Sequence, residues 1–393
     1  MVSEVQHHWL NRKRFVLYVG AFALVYLILA AGILVQSSLL DPKGFPLGFD
    51  FRVFWSAAQL AAQGHPEAAY DLSRLHVVVH AFNPEVREGS YGWFYPPHYF
   101  LLITPLAWFP YNSAYLLFMM VGLVAYGVVI RAICPRPETL WVLLGFSGLW
   151  INLLTGQNGF LTAAAGGGAL LLLESHPLLS GVMIGLLSCK PQLALLFPVA
   201  LLARGAWKPL IAAVCSAVFL MLISVALLGM ETFRAWQGSL GLAKTFLEVG
   251  GTRFWMRMPT FFSFTHLSGA SILQSYGIHA LVGIVVMGLT WLTWRRCRNP
   301  DLRYAQLTAG TLLISPYVLI YDLTWLALPI AWMAKAGLEY GWRRGEREVL
   351  ALAWLLPAFM MAMSHLYPLQ LGGWCVLALF AMISYRAWHA EPT

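Results

Sequence analysis

The chain has 393 residues, of which 59% are hydrophobic and only 11% are charged, and its mean hydropathy is +0.68. About a quarter of the residues of a soluble domain are charged, so this composition excludes an ordinary soluble domain. The charge-free apolar runs are too long for the strands of a membrane barrel, and they predict an all-α polytopic membrane protein. The net charge of +8 reflects Lys and Arg clustered in short loops, where membrane orientation and anionic lipids explain it without nucleic acid.

The first apolar run, residues 15–37, contains no Asp, Glu, Lys or Arg. It is long enough to cross about 30 Å of hydrocarbon as a helix. Arg12, Lys13 and Arg14 precede the run and place the N-terminus in the cytoplasm by the positive-inside rule. The run has no small-residue cleavage site and is followed by further spans, so it is interpreted as a retained helix rather than a signal peptide.

Apolar runs and their breaks predict a bundle of about twelve membrane helices with both chain ends inside. The predicted spans are residues 15–37, 94–109, 112–131, 139–154, 159–174, 178–203, 209–229, 270–294, 303–320, 322–337, 348–364 and 369–386. Basic residues in alternate loops support the second half of this topology. The first half is less regular, because Arg131 and Arg136 fall on the outer side, and one of the runs 94–109 or 178–203 is expected to be broken or re-entrant.

Two outer segments are too long to be simple turns. The first outer loop, residues 38–93, contains two predicted short helices, 51–63 and 71–82. Their apolar residues recur near helical spacing, so both helices are expected to lie on the membrane surface. The second outer loop, residues 230–269, combines aromatic and cationic side chains, which suits the zone of lipid headgroups.

Asp50 stands directly before the first surface helix, on the outer side of the membrane in this topology. A carboxylate at the start of a helix is a common N-cap, which is one interpretation of this position. The other interpretation is a general base that takes a proton from a hydroxyl nucleophile.

Lys190 is the only formally charged residue between Ser175 and Ala203. An unpaired ammonium at the centre of a span costs about 2.5–3.5 kcal/mol on insertion, so the position predicts a partner such as a phosphate or a carboxylate. If the run consists of two short segments instead, the lysine extends to the interface and needs no partner.

Polar residues open two of the apolar runs. Tyr95 and His98 flank a pair of prolines that suits the first turn of a helix, and His98 either satisfies local hydrogen bonds or reaches a site. Gln157 and Asn158 form a turn between two glycines, which explain the tight connection by themselves. The two amides are also able to bind sugar hydroxyls.

A second outer carboxylate, Asp322, follows Tyr321 in the segment SPYVLIYD. Both residues interrupt an apolar stretch on the side of the membrane that is predicted to hold Asp50. Asp322 either caps the following helix or joins Asp50 in contacting a pyranose or its acceptor.

An ordered set of segments covers residues 50–330: DFRVFWSAAQLAAQGHPEAAYD, YPPHYFLLITPLAWFP, GQNGFL, SGVMIGLLSCKPQ with RGAWKP, and LISPYVLIYDLTW. This set resembles glycosyltransferase family 87. That family is similar to the polyprenyl-phosphate-mannose-dependent mannosyltransferases of the GT-C fold, which transfer a hexose from a lipid-phosphate donor on the outer face of the cytoplasmic membrane.

The resemblance implies a single GT-C-like membrane domain over residues 1–393, with its active site on the periplasmic or extracellular face of the inner membrane. It implies transfer of a mannose-like hexose from a polyprenyl-phosphate donor to a lipid or glycan acceptor, with inversion. Asp50 matches the acidic residue of the family's first outer loop, which is taken as the catalytic base. Tyr321 and Asp322 replace histidines that mannosyltransferase relatives carry after their Ser-Pro, so the sugar is left open.

The polyprenyl-phosphate donor that the resemblance implies predicts the remaining site residues. Four cations are expected near the leaving phosphate: Lys190, Lys244, Arg253 and Arg257. Six side chains are expected near the sugar or acceptor: Tyr95, His98, Gln157, Asn158, Tyr321 and Asp322. The chain has no Gly-rich nucleotide loop and no DxD pair, and its five cysteines lack metal-ligand spacing. No cofactor and no metal are therefore predicted.

Two other kinds of membrane protein are also compatible with this sequence. A membrane transporter or a flippase of lipid-linked saccharides also needs many helices and an intramembrane charge such as Lys190, but transporters usually bind near the midplane. The polar candidates gather at one predicted face, which favours an enzyme. A non-catalytic scaffold of an envelope-polysaccharide complex is the third interpretation.

Overall fold

The computed structural model describes residues 8–35, 48–82, 91–363 and 369–389, and these residues form helices and no β-strand. In chain order the α-helices are α1 (Arg12–Val35), α2 (Phe51–Ala62), α3 (Leu72–Phe82), α4 (Phe100–Ile103), α5 (Tyr111–Ile133), α6 (Thr139–Leu144), α7 (Ser147–Thr155), α8 (Gly159–Leu172), α9 (Pro177–Leu186), α10 (Leu196–Arg204), α11 (Trp207–Val249), α12 (Thr252–Trp255), α13 (Phe261–Leu267), α14 (Ile272–Arg296), α15 (Pro300–Ile314), α16 (Ala327–Tyr340), α17 (Glu346–Met363) and α18 (Gly372–Trp388). Short 3₁₀-helices cover Pro66–Tyr70, Pro97–Tyr99, Thr104–Trp108, Leu187–Cys189, Pro191–Leu193 and Ile320–Leu326.

Within the described residues, four helices are long and apolar enough to cross a membrane: α1 over Arg12–Gly32, α5, α11 and α14. Their outward faces carry exposed large apolar side chains such as Leu17, Val128 and Leu222. Continuous apolar surfaces of this kind suit contact with lipid chains and not with water. The all-α membrane class is confirmed, while the count of twelve spans stays a prediction.

Several of the predicted spans are broken. Residues 94–109 form two 3₁₀-helices around α4, and residues 178–203 form α9 and α10 with two 3₁₀-helices between them. One of these two runs was expected to be broken or re-entrant, and the structure interrupts both of them. The break in the second run follows from Pro191, because the residue before a proline is disfavoured in the helical region and Lys190 has φ −131° and ψ 73°.

The second outer loop is more helical than its composition predicts. Helix α11 continues through the predicted boundary at residue 230, and α12 and α13 occupy most of the rest of the loop. Gly229 is the one non-helical residue inside α11, with φ +84°. Glycine adopts this φ without steric cost, so the chain kinks there and resumes the helix.

The two short helices of the first outer loop, α2 and α3, form close to their predicted bounds. The expectation that the apolar face of α2 lies on the membrane surface is wrong. Phe51, Phe54 and Ala57 are almost completely buried inside the protein. The Nε2 of Gln59 donates to the carbonyl of Ala107 at 3.0 Å, so the polar side of this helix is also held by the 3₁₀-helix Thr104–Trp108. Helix α2 is thus part of the core.

Helix α9 packs along the first half of α11 through glycines four residues apart, Gly181 and Gly185. A Cβ atom at Gly181 would lie 2.3 Å from the carbonyl oxygen of Pro209 and 2.6 Å from the Cβ of Ala212. Small residues at this spacing let two membrane helices approach closely.

We expect Gly181→Ala to lower the free energy of unfolding by about 1–3 kcal/mol, because the added methyl group meets backbone atoms that cannot rotate away. Thermal unfolding in detergent measures the effect. Gly288→Ala in α14 is the matched control, because no atom lies within 4 Å of a Cβ built there. Equal melting temperatures for the two variants would contradict the close packing of α9 on α11.

Candidate active site

A cavity of about 1860 Å³ lies between α1, α2, α5, α11 and the 3₁₀-helices near residues 190 and 322. Its walls are mostly apolar, and they include residues of three long apolar helices: Leu29 of α1, Met120 of α5 and Leu240 of α11. Its charged lining residues among those described are Asp50, Lys190, Lys244, Arg257 and Asp322. A large apolar cavity with a few converging polar groups is typical of a binding site.

Backbone contacts hold Asp50 against the polar turn that follows α7. The N–H of Asp50 donates to the carbonyl of Thr155 at 2.8 Å. Gly156 adopts φ +71°, and a Cβ atom built there would lie 2.6 Å from the Cβ of Phe51. A residue with a side chain would force these two segments apart, so the glycine allows the turn to touch the start of α2.

The side chain of Asp50 does not cap α2, since no cap hydrogen bond is formed. Its Oδ2 instead accepts a hydrogen bond from Nε2 of Gln157 at 2.8 Å. The hydroxyl of Tyr95 donates to Oε1 of the same Gln157 at 3.1 Å. Tyr95, Gln157 and Asp50 therefore form one hydrogen-bonded chain, and all three line the cavity.

Asp50 reaches the cavity on one side and is enclosed by protein on the others. Desolvation by this enclosure raises the pKa of the Asp50 carboxyl above the ordinary aspartate value of 3.8. The hydrogen bond from Gln157 and the positive charges of Lys190, Arg257 and Arg52 oppose that rise in pKa. A carboxylate with a raised pKa is a better proton acceptor than an exposed one.

Lys190 and Asp322 form a buried ion pair, with Nζ 2.8 Å from Oδ1 and side chains only 6% and 1% exposed. The lysine Nζ also lies 4.5 Å from the ring centroid of Tyr321. Oδ2 of Asp322 accepts the N–H of Leu319 at 3.0 Å. The predicted carboxylate partner of Lys190 is therefore present. A lysine so deeply buried does not extend to an interface, although its run is indeed two segments.

Three of the four cations in the second outer loop were expected near the phosphate, and the structure separates these three into two groups. All three side chains are exposed, but Lys244 and Arg257 line the cavity and Arg253 does not. Nζ of Lys244 lies 3.7 Å from a carboxylate oxygen of Glu248. Arg257 forms no ion pair with the residues that the structure describes.

His98 and Asn158 are buried behind the cavity wall and do not line it. Nε2 of His98 shares a hydrogen bond with the hydroxyl of Ser188 at 3.1 Å. Nδ2 of Asn158 donates to the hydroxyl of Tyr99 at 3.1 Å. Both side chains join neighbouring segments of the wall, unlike Tyr95, Gln157, Tyr321 and Asp322, which line the cavity.

Arg52 is a residue near the site that the sequence analysis did not select. It is 2% exposed, and its guanidinium carbon lies 5.5 Å from the ring centroid of Phe49 and 5.6 Å from that of Tyr91. Among the described residues it has no ion-pair partner. The available signal was an arginine two positions after Asp50 that is the single charged residue of α2.

In the described part of the chain, no three His, Cys, Asp or Glu side chains are grouped so that they could hold a metal ion. Metal independence and the absence of a cofactor stay predictions.

Comparison with known proteins identifies the family of the chain. No curated protein and no solved structure matches the chain. The model of glycosyltransferase family 87 matches residues 93–316, which is more than half of the chain. The matched region contains Tyr95, Gln157, Lys190 and Arg257, but it begins after Asp50 and ends before Asp322. The chain belongs to glycosyltransferase family 87.

Proposed function

We propose that this membrane glycosyltransferase moves a hexose from a polyprenyl-phosphate donor to a lipid or glycan acceptor on the outer face of the cytoplasmic membrane. One observation supports this most: the Asp50 carboxylate, the cations and the apolar residues of membrane helices line the same cavity. Apolar walls match a hydrocarbon chain, and cations match its phosphate. A GT-C-like architecture and a mannose-like sugar belong to the same proposal.

Asp50 acts as the general base in the proposed reaction. As the acceptor hydroxyl attacks the anomeric carbon, its proton passes to Asp50 and a new glycosidic C–O bond forms. The bond between the anomeric carbon and the phosphate oxygen breaks, and polyprenyl phosphate leaves with the bonding electrons. Attack from the face opposite the leaving group gives inversion at the anomeric carbon.

Arg257 is the principal cation for the leaving phosphate in this proposal. The charge of Lys190 is already balanced by Asp322 at 2.8 Å, and Lys244 faces Glu248 at 3.7 Å. Arg257 lines the same cavity as Asp50, and its positive charge lowers the pKa of the Asp50 carboxyl. A positive charge there stabilises the charge that develops on the phosphate in the transition state.

A flippase of lipid-linked saccharides is the second candidate, because the broken segment around Lys190 is a feature that transporters use at their binding sites. Family membership favours sugar transfer.

Transfer by the purified protein in nanodiscs tests the proposal. Radiolabelled hexoses are supplied either as polyprenyl-phosphate sugars or as nucleotide sugars, together with acceptor lipids and glycans extracted from membranes. We expect labelled product and free polyprenyl phosphate from the lipid-linked donor only. Transfer from the nucleotide sugar would overturn the donor assignment. In sealed vesicles, movement of intact labelled donor across the bilayer without product would indicate a flippase.

In the same assay, we expect Arg257→Gln to raise the donor KM and lower kcat, with a combined loss of about ten- to hundred-fold in kcat/KM, because a charge-assisted contact to the phosphate is lost. Arg253→Gln is the matched control, four residues away and outside the cavity, and should keep wild-type kinetics. Equal effects of the two substitutions would remove Arg257 from the phosphate site.

A further inference from the structure

The side-chain amide of Gln157 has little hydrogen-bonding capacity left for a sugar. Its Nε2 donates to Oδ2 of Asp50 at 2.8 Å, and its Oε1 accepts from the Tyr95 hydroxyl at 3.1 Å. The backbone N–H of Asn158 also points at Oε1, at 3.4 Å. Gln157 is 5% exposed although it lines the cavity.

The orientation of this amide follows from its neighbours. A backbone N–H can only donate, so the group of Gln157 that faces the N–H of Asn158 must be the carbonyl oxygen. The NH₂ group is then directed at Asp50, whose ionised carboxylate can only accept.

The backbone under Gln157 is also fixed. Gly156 ends α7 in the left-handed region, and the N–H groups of Gly156 and Gln157 both donate to the carbonyl of Asn152, at 2.9 and 3.3 Å. The side-chain Oδ1 of the fully buried Asn152 accepts from the N–H of Gly159 at 3.1 Å. Asn152 therefore ties both ends of the turn, and Gln157 is presented on a rigid support.

We infer that Gln157 is a positioning residue for Asp50 and not the sugar ligand that its sequence suggests. It holds Oδ2 of Asp50 and leaves Oδ1, which has no hydrogen-bond partner among the described residues, for the acceptor hydroxyl. The inference rests on the proposed function of Asp50 as general base. Tyr95 acts one step further away, because its hydroxyl bonds to Gln157.

Steady-state kinetics over a range of pH test this role with Gln157→Met, which keeps the length of the side chain and removes the donor. We expect kcat to fall about ten- to hundred-fold, as for a lost hydrogen bond to a charged group. The acid limb of the pH profile should move up by about one pH unit, because the carboxylate loses the donor that favours its ionised form. The KM values of donor and acceptor should not change.

Two further variants keep the test decisive if Gln157→Met folds poorly. Gln157→Glu places a second carboxylate beside Asp50, and like charges disfavour ionisation, so the acid limb should move further up than in Gln157→Met. Tyr95→Phe removes only the hydroxyl that bonds to Gln157. It should move the acid limb of the pH profile up by less than Gln157→Met does.

A rise in the KM of donor or acceptor with an unchanged acid limb would identify Gln157 as a sugar ligand and overturn the inference. Unchanged kinetics would overturn it as well.

Infrared titration separates failure of the inference about Gln157 from failure of the proposed function. The Asp50 carboxyl band, assigned by its loss in Asp50→Asn, should titrate at higher pH in Gln157→Met even if no donor is turned over. A wild-type protein that transfers no hexose would refute the proposed function alone.

Discussion

Asp50→Asn is expected to abolish hexose transfer, with kcat reduced by at least about 10²–10⁴-fold, while the protein still folds. The amide keeps the shape of the carboxylate, and its oxygen still accepts the hydrogen bond from Gln157, but it cannot take the acceptor proton. In the wild type, transfer should fall as the pH drops through the raised pKa of Asp50, because only the ionised carboxylate accepts a proton. Activity of Asp50→Asn within a few-fold of wild type would disprove the base assignment.

Asp71 is the matched control for Asp50, because both carboxylates stand directly before a helix of the first outer loop. Oδ1 of Asp71 accepts the N–H groups of Ser73 and Arg74 at 2.9 and 3.1 Å, so Asp71 is an N-cap in fact. Asp71→Ala should lower stability by about 1 kcal/mol and leave kcat unchanged. Asp50→Ala should instead lower kcat and leave stability unchanged, since Asp50 makes no cap hydrogen bond. Thermal unfolding and transfer measured on both variants separate the two roles.

Lys190→Met is expected to destabilise the fold by about 3–5 kcal/mol, because it leaves the carboxylate of Asp322 buried without its counter-ion. Asp322→Asn should be destabilising for the corresponding reason. The double variant Lys190→Met/Asp322→Asn removes both charges and should recover most of the loss. Thermal unfolding in detergent measures the loss of stability in each of the three variants. The difference between the loss in the double variant and the sum of the two single losses measures the coupling between the two side chains.

The pair Lys335–Asp301 provides the control, because its nitrogen and oxygen are also close, at 2.9 Å, while its side chains are 30% and 12% exposed. A partly solvated pair is worth about 0–1 kcal/mol, so Lys335→Met should have a small effect. Strictly additive losses in the Lys190 and Asp322 variants would show that the pair is not coupled. Transfer by the double variant answers a separate question: wild-type kinetics would remove Lys190 from the phosphate site.

Hydropathy and short-range spacing were sufficient for the class of the protein and for its local elements. The apolar runs predicted a helical membrane protein, and α2 and α3 form where sequence breaks and spacing indicated. These features depend on interactions between residues close in the chain, so the local sequence pattern is enough to predict them. The same patterns could not give the direction of the apolar face of α2, because lipid and protein core are equally apolar.

The pairing of the site residues was decided by the tertiary structure alone. Gln157 and Asp50 are 107 residues apart, and Lys190 and Asp322 are 132 residues apart. Adjacent residues also diverge: Gln157 faces the cavity while Asn158 is buried behind its wall. By itself the sequence determined a helical membrane protein with a carboxylate and a lysine that needed partners. Which groups meet them depends on how distant segments pack, and a one-dimensional pattern does not contain that information.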